Sequence, residues 1–224
     1  MSKHSRATKR VIPATGVDEP LPSQQKRSND TTDRLLEAAE ELLRIEGFEA
    51  ATLRAIAKRA NVSAGIVYRR FRDKDSILRA VYTRFFARIR EGNKRTLNQG
   101  MLRAGSRIQV LTAIVRSIAE GYRRNRDLLR SLVLYARTHP DLGFRRRARK
   151  LNMLVYADIC GLLLRSSEAL PQPDPEAAVA FALSSAAAVL QERVLFADVT
   201  AMPLMSRAEL ISETAKMIDC YLSV

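Results

Sequence analysis

The chain is poor in the residues that build covalent or metal-bound scaffolds. Its 224 residues hold two cysteines, Cys160 and Cys220, and two histidines, His4 and His139. The cysteines are far apart and have no histidine close by, so neither a disulfide framework nor a zinc site is indicated. His139 precedes Pro140 with no nucleophile or second base beside it, which favours a structural role over a catalytic one. There is no Gly-rich phosphate loop, zinc motif or serine-nucleophile motif. The acids are scattered, and no pair stands out for general acid–base work. The expectation is a protein that is not an enzyme and uses no metal or cofactor. No apolar run reads as long enough to span a bilayer, and the N-terminus lacks the hydrophobic stretch of a secretory signal. The cytoplasm is the expected compartment, with no membrane partner.

What remains is apolar and basic. Apolar residues make up 46% of the chain, enough for a substantial core, and the formal net charge is +14. Such an excess points to a polyanionic partner. Residues 1–90 carry +8 and the rest +6, so the excess is denser in the first part but not confined to it.

The most informative stretch runs from Thr52 to Lys74. Thr52 can cap a short helix whose Leu53, Ile56, Ala57 and Ala60 recur at helical spacing. Asn61 tolerates the left-handed backbone that ends such a helix. Ser63 can cap a second helix, from Ala64 to about Phe71, with Ile66 and Val67 as the candidates to turn inward. Ala57 is small where two helices must cross. This is the pattern of a helix-turn-helix. Between Thr52 and Arg72 the charged residues are Arg54, Lys58, Arg59, Arg69, Arg70 and Arg72, with no acid among them. A basic second helix with small side chains on its outer face suits a DNA major groove. The competing account, a solvated face on an ordinary helical hairpin, explains the charge but not the turn, the caps and the small crossing residue together.

The rest reads as helices around this unit. Residues 1–29 predict a flexible basic extension, with Pro13, Pro20 and Pro22 and little apolar periodicity. A first helix is expected from about Asp30 or Thr31 to Ile45, with Gly47 ending it and Phe48 plugging the small core. Asp73 can cap a helix bearing Ile77, Leu78, Val81, Phe85 and Ile89. Ser106 opens another, and a short apolar helix follows to His139. A long stripe runs from Asp141 to about Glu168. Asp174-Pro175 is a helix entrance, and the segment to Phe196 is rich in alanine. Ser206-Arg-Ala-Glu209 matches a capping box. The predicted class is all-α.

The segment from about Thr31 to Arg88 resembles the DNA-binding domain of TetR-family transcriptional regulators. Thr52, Ile56-Ala57, Ala60, Val62-Ser63, Tyr68, Phe71, Lys74 and the apolar series from Ile77 carry the likeness. Asn61 stands where glycine is more usual, and Ile66 where threonine is frequent. The resemblance implies an N-terminal helix-turn-helix domain over residues 30–76 and a helical effector-binding and dimerisation domain over 77–224. It also implies a homodimer on a near-palindromic double-stranded operator, released by a small effector.

On that basis Thr52, Ser63, Ala64, Gly65, Tyr68, Arg69, Arg70 and Lys74 are expected at the DNA. Tyr68, Lys74 and Thr52 would meet phosphates. Arg69 is the candidate for reading guanine, although Arg70 adjoins it. Phe85, Ile89, Leu111, Val115, Leu132, Tyr135, Leu151, Val155 and Ile159 are the expected lining of a mainly apolar pocket, with Asp158 as a polar contact. The interface between copies is expected from Val179, Leu183, Ala187, Leu190 and Val194 on one helix. Leu210, Thr214, Met217, Ile218 and Tyr221 on the last helix complete it. Two competitors stay open: an architectural DNA-binding protein without an effector, and an all-helical enzyme whose site is assembled from distant residues.

Overall fold

The structure is a computed structural model that describes residues 22–96, 105–166, 170–200 and 205–224. Residues 1–21, which make up most of the expected extension, lie outside the described residues. Among those described, only helices form regular structure. In chain order they are α1 (Pro22–Ile45), α2 (Gly47–Ala50), α3 (Leu53–Arg59), α4 (Ala64–Arg70) and α5 (Lys74–Thr96). There follow α6 (Arg107–Arg124), α7 (Arg126–Thr138), α8 (Leu142–Ser166), α9 (Pro175–Leu195) and α10 (Arg207–Tyr221). The first helix begins at Pro22, so the backbone of 22–29 is helical and does not belong to an irregular extension.

Local sequence sets most of the ends. The Asp174 carboxylate accepts from the Ala177 N–H at 3.0 Å, with Pro175 at the first helical position of α9. Ser206 and Glu209 complete a reciprocal capping box on α10. Asp73 accepts from the Ser76 N–H at 2.8 Å at the start of α5. Gly47 ends α1 at φ 80°, in the left-handed region that glycine enters without steric cost.

The N-terminal unit packs α1 against α3 and α5, and α3 against α4. Leu35, Ala39, Ile56, Val67, Ile77 and Val81 are fully buried there. Val67, not Ile66, is the inward anchor of α4; Ile66 is only half-buried. Full burial of such a side chain stabilises by roughly 1.5–3 kcal/mol. Phe48 does not plug this core. It remains 36% exposed and stacks on Tyr135 of α7 at 5.5 Å.

The larger unit is layered around α8 and α9. The long helix α5 lies along α8, α9 packs on α6, α7, α8 and α10, and α6 packs on α10. This arrangement corrects the expected interface. Val179, Leu183, Ala187, Leu190, Leu210, Thr214 and Ile218 are all buried inside the single chain, and Val194 is partly buried against the same core. The alanines of α9 let α6, α8 and α10 approach it closely, so its larger side chains serve the chain's own core. Met217 and Tyr221 alone of the expected interface residues are exposed, together with Phe181, whose ring meets Tyr221 at 5.4 Å. By length and composition α9 also meets the requirement for crossing a membrane, contrary to expectation. Its packing on four neighbouring helices is that of a core helix.

Candidate functional site

The helix-turn-helix is held by its own backbone chemistry. Thr52 Oγ1 accepts from the Ala55 N–H at 3.2 Å, capping α3. At the other end Asn61 adopts φ 51°. The Val62 N–H then reaches the Ala57 carbonyl at 3.0 Å, and the Asn61 N–H reaches Lys58 at 3.2 Å. This pair of bonds is a Schellman motif with asparagine in the left-handed position. Arg34 of α1 reinforces the turn by donating to the carbonyls of Ala60 and Asn61. Ser63 takes the N-cap position of α4 in an extended conformation, without a side-chain capping bond.

Each expected DNA residue can now be placed. Thr52, Ser63, Ala64, Gly65, Tyr68 and Arg69 are exposed, as are Arg54 and Lys58 of α3. Tyr68 keeps 53% of its surface in solvent. A side chain at Gly65 would meet only Ser63 Oγ, in ordinary contact at 4.0 Å. The two adjacent arginines separate. Arg69 carries no ion pair among the described residues, whereas Arg70 turns back and donates through Nε to Thr32 Oγ1 of α1 at 3.2 Å. Lys74 is also engaged within the chain. Its ammonium donates to the Glu49 carbonyl at 3.3 Å and sits 4.2 Å from the Phe48 ring centroid.

A polar cluster joins the start of α5 to the larger unit. One Asp75 carboxylate oxygen accepts from the Tyr135 hydroxyl and lies 2.6 Å from His139 Nε2; the other lies 2.6 Å from the Arg79 guanidinium. His139 Nδ1 accepts from the Asp141 N–H at 3.0 Å. That bond uses the lone pair of Nδ1, so Nε2 carries the proton facing Asp75. Arg79 also reaches Asp141 at 2.6 Å. Burial acts to raise the Asp75 pKa, but hydrogen bonds from Tyr135, His139 and Arg79 outweigh it and bring the group below its usual range. Burial and the bond to Asp75 push the Tyr135 hydroxyl upward. His139 is thus a structural hinge between α5 and the α7–α8 corner.

Further along α5, the helix borders an internal cavity of about 300 Å³. Phe85, Phe86 and Ile89 form its α5 wall, Ile118 and Tyr122 its α6 wall, and Leu129 and Val133 its α7 wall. Asn152, Val155, Tyr156 and Ile159 face it from α8, with Gln191 and Leu195 from α9. Four of the expected pocket residues therefore line it: Phe85, Ile89, Val155 and Ile159. The others do not. Leu111 and Val115 lie in the core with α9 and α10; Leu132 and Tyr135 lie in the core with α1 and α5, and Leu151 packs against it. Asp158 is bound to Arg90 at 2.6 Å, which lowers its pKa. The sequence reading missed Tyr122 and Tyr156, whose hydroxyls meet at 3.0 Å. Tyr122 continues the Ile118 stripe and Tyr156 is one step off the Val155 stripe, and only the crossing of α6 and α8 brings them together. A wider groove lies beyond, bordered by Arg137, Arg145, Arg146 and Arg149, and shares Val133, Asn152, Tyr156 and Gln191 with the cavity. Arg126 and Arg130 clamp Asp198 at 3.2 and 2.7 Å.

The family model described as "Bacterial regulatory proteins, tetR family" matches residues 35–81. The HTH-type transcriptional regulator UidR of Escherichia coli K12 is 32% identical over 75 residues, 32% of this chain and 38% of UidR. The match thus spans well under half the length of that relative. Solved structures are similar over most of the chain. The fatty acid degradation regulator FadR of Bacillus halodurans has a TM-score of 0.63 at 16% identity, covering 86% of this chain and 94% of that one. Thermus thermophilus FadR, a TetR-family repressor in complex with lauroyl-CoA, has a TM-score of 0.58 at 27% identity, covering 85% and 93%. The N-terminal domain around residues 35–81 is thus a TetR-family helix-turn-helix domain, and the helical architecture over the rest is similar to that of solved TetR-family transcriptional regulators.

Proposed function

We propose that this protein is a ligand-responsive DNA-binding repressor that acts in the cytoplasm as a homodimer on a near-palindromic operator. The observation that carries the reading is the course of α5. Its first turn follows directly on the helix-turn-helix, and its middle forms a wall of the cavity. A molecule entering the cavity would press on Phe85 and Ile89 of the helix that carries the DNA-reading unit. Coupling follows if the ligand binds two settings of α5 with different affinity. The apolar walls suit a mainly hydrophobic effector, as does the lauroyl-CoA bound by the Thermus thermophilus relative.

At the DNA, Arg69 is the base-reading side chain and Tyr68, Thr52 and Lys74 are phosphate contacts. Ser63, Ala64 and Gly65 allow close approach of the α4 N-terminus. Arg70 acts as a brace through Thr32. The partner subunit would meet the face of α9 and α10 that the fold leaves exposed: Ala177, Ala180, Phe181, Ser184, Met217 and Tyr221. Two identical reading heads related by a two-fold axis match a near-palindromic site. Selection of duplexes from a random pool with the purified full chain, followed by anisotropy titration, tests the reading. It expects an enriched inverted repeat. Enrichment of no sequence over scrambled DNA would show the regulator reading to be wrong.

A further inference from the structure

Apolar and polar side chains both line the cavity, and at Tyr122, Tyr156 and Asn152 the polar groups have protons to donate. Tyr122 of α6 and Tyr156 of α8 share one hydrogen bond between their hydroxyls. Two hydroxyls have two protons, and a single mutual bond uses one of them. The second is left for another acceptor. Burial raises the pKa of both groups, that of Tyr122 well above its ordinary value, so the pair stays protonated at neutral pH. Asn152 stands one turn before Tyr156 on the same helix. Its Oδ1 accepts from the Tyr82 hydroxyl at 3.1 Å, which leaves the amide N–H groups to donate. A buried donor without an acceptor is costly, so this wall favours a ligand that supplies one.

The surrounding charge has the same preference. No aspartate or glutamate lines the cavity, while Arg88 and Arg124 do. Arg88 is balanced by Glu40 at 2.8 Å, but Arg124 has no ion pair among the described residues. Behind Asn152 and Tyr156 the outer groove carries Arg137, Arg145, Arg146 and Arg149 against two acids, Asp174 and Glu176. The acid expected as a polar contact, Asp158, is held by Arg90 outside the lining.

We infer that the cavity takes an apolar molecule ending in a hydrogen-bond acceptor, a carboxylate or a carbonyl, which receives its bonds from the Tyr122–Tyr156 pair and Asn152. This rests on the effector reading above and reverses the cationic contact that a free Asp158 would favour. A cationic head finds no carboxylate in this lining and meets Arg88 and Arg124. A bare hydrocarbon leaves the donors unmatched.

Calorimetric titration of the full chain with decanoate, methyl decanoate and decylamine tests this. Decanoate and its ester bind, and the amine does not. The double variant Tyr122→Phe/Tyr156→Phe weakens decanoate by about ten- to a hundred-fold, the value of one hydrogen bond to a charged group. Single variants are less informative, because the remaining hydroxyl still donates. Amine binding as tight as decanoate, or no binding by any of the three, overturns the inference. So does a double variant that stays folded by circular dichroism and keeps wild-type affinity. The wild-type comparison decides alone if the variant fails to fold. A parallel anisotropy titration on selected duplex separates the two claims. Acceptor-selective binding without any change in DNA affinity supports the ligand chemistry and overturns the regulatory coupling.

Discussion

Replacing Asp75 with alanine removes the acceptor on which the α5–α7 junction converges. Tyr135 is buried and His139 keeps only 8% of its surface exposed, so both lose their partner in a poorly solvated place. An orphaned buried donor costs about 1–3 kcal/mol, or about 2–6 kcal/mol for the two. Two features lower that figure. The Tyr135 hydroxyl retains a long contact to the Asp75 carbonyl at 3.4 Å. The Arg79 bridge is more than a quarter exposed and keeps Asp141, so its loss adds little. The expected cost is therefore about 2–4 kcal/mol in urea unfolding at pH 7. Adding Tyr135→Phe to Asp75→Ala removes one orphaned donor, so the double variant should lose less than the sum of the singles, by roughly 1 kcal/mol or more. A cost for Asp75→Ala below about 0.5 kcal/mol, within the range of an ordinary surface substitution, would refute the reasoning. Strict additivity of the two changes would do the same.

Other outcomes follow from the placement of side chains. Arg69→Ala should relax sequence preference at a cost of roughly 1–3 kcal/mol in binding, read by anisotropy on selected and scrambled duplexes. Arg70→Ala should instead lower the unfolding midpoint with little change in preference. Lys74→Ala should flatten the salt dependence of binding by about one unit if its ammonium leaves Phe48 for a phosphate. Leu183→Asp, at a site with no exposed surface, should unfold the chain, whereas Phe181→Glu should leave it folded but monomeric in sedimentation equilibrium. The pH dependence has a definite sign. Asp75, Asp141, Asp158 and Asp198 all have lowered folded pKa values, Asp141 to about 2 through the Arg79 bond and the Phe144 N–H. Their contribution is complete above the unfolded value of 3.8 and is lost as pH falls through the folded values. Urea midpoints should therefore decline below about pH 4, and less steeply in Arg79→Ala, which takes the guanidinium from Asp141 and one of three donors from Asp75.

The helix-turn-helix was legible because its determinants are local. Thr52, Asn61, Asp174 and Ser206 cap or end helices through atoms within a few residues of themselves, and the chain needs no distant partner to make those bonds. The class of fold followed from apolar spacing for the same reason. The cavity and the interface depended on which faces of long helices meet. Val179, Leu183 and Leu190 form an apolar stripe that serves equally for a partner chain or for the chain's own core, and the packing of α6, α8 and α10 on α9 assigned it to the core. Asp158 could face a ligand or an arginine, and α5 brought Arg90 within 2.6 Å. Arg69 and Arg70 are identical in sequence terms, yet their directions differ by about 100° around a helix, so one meets Thr32 and the other meets solvent. Spacing along one helix fixes which side chains share a face. Only the packing of helices distant in sequence decides what that face touches.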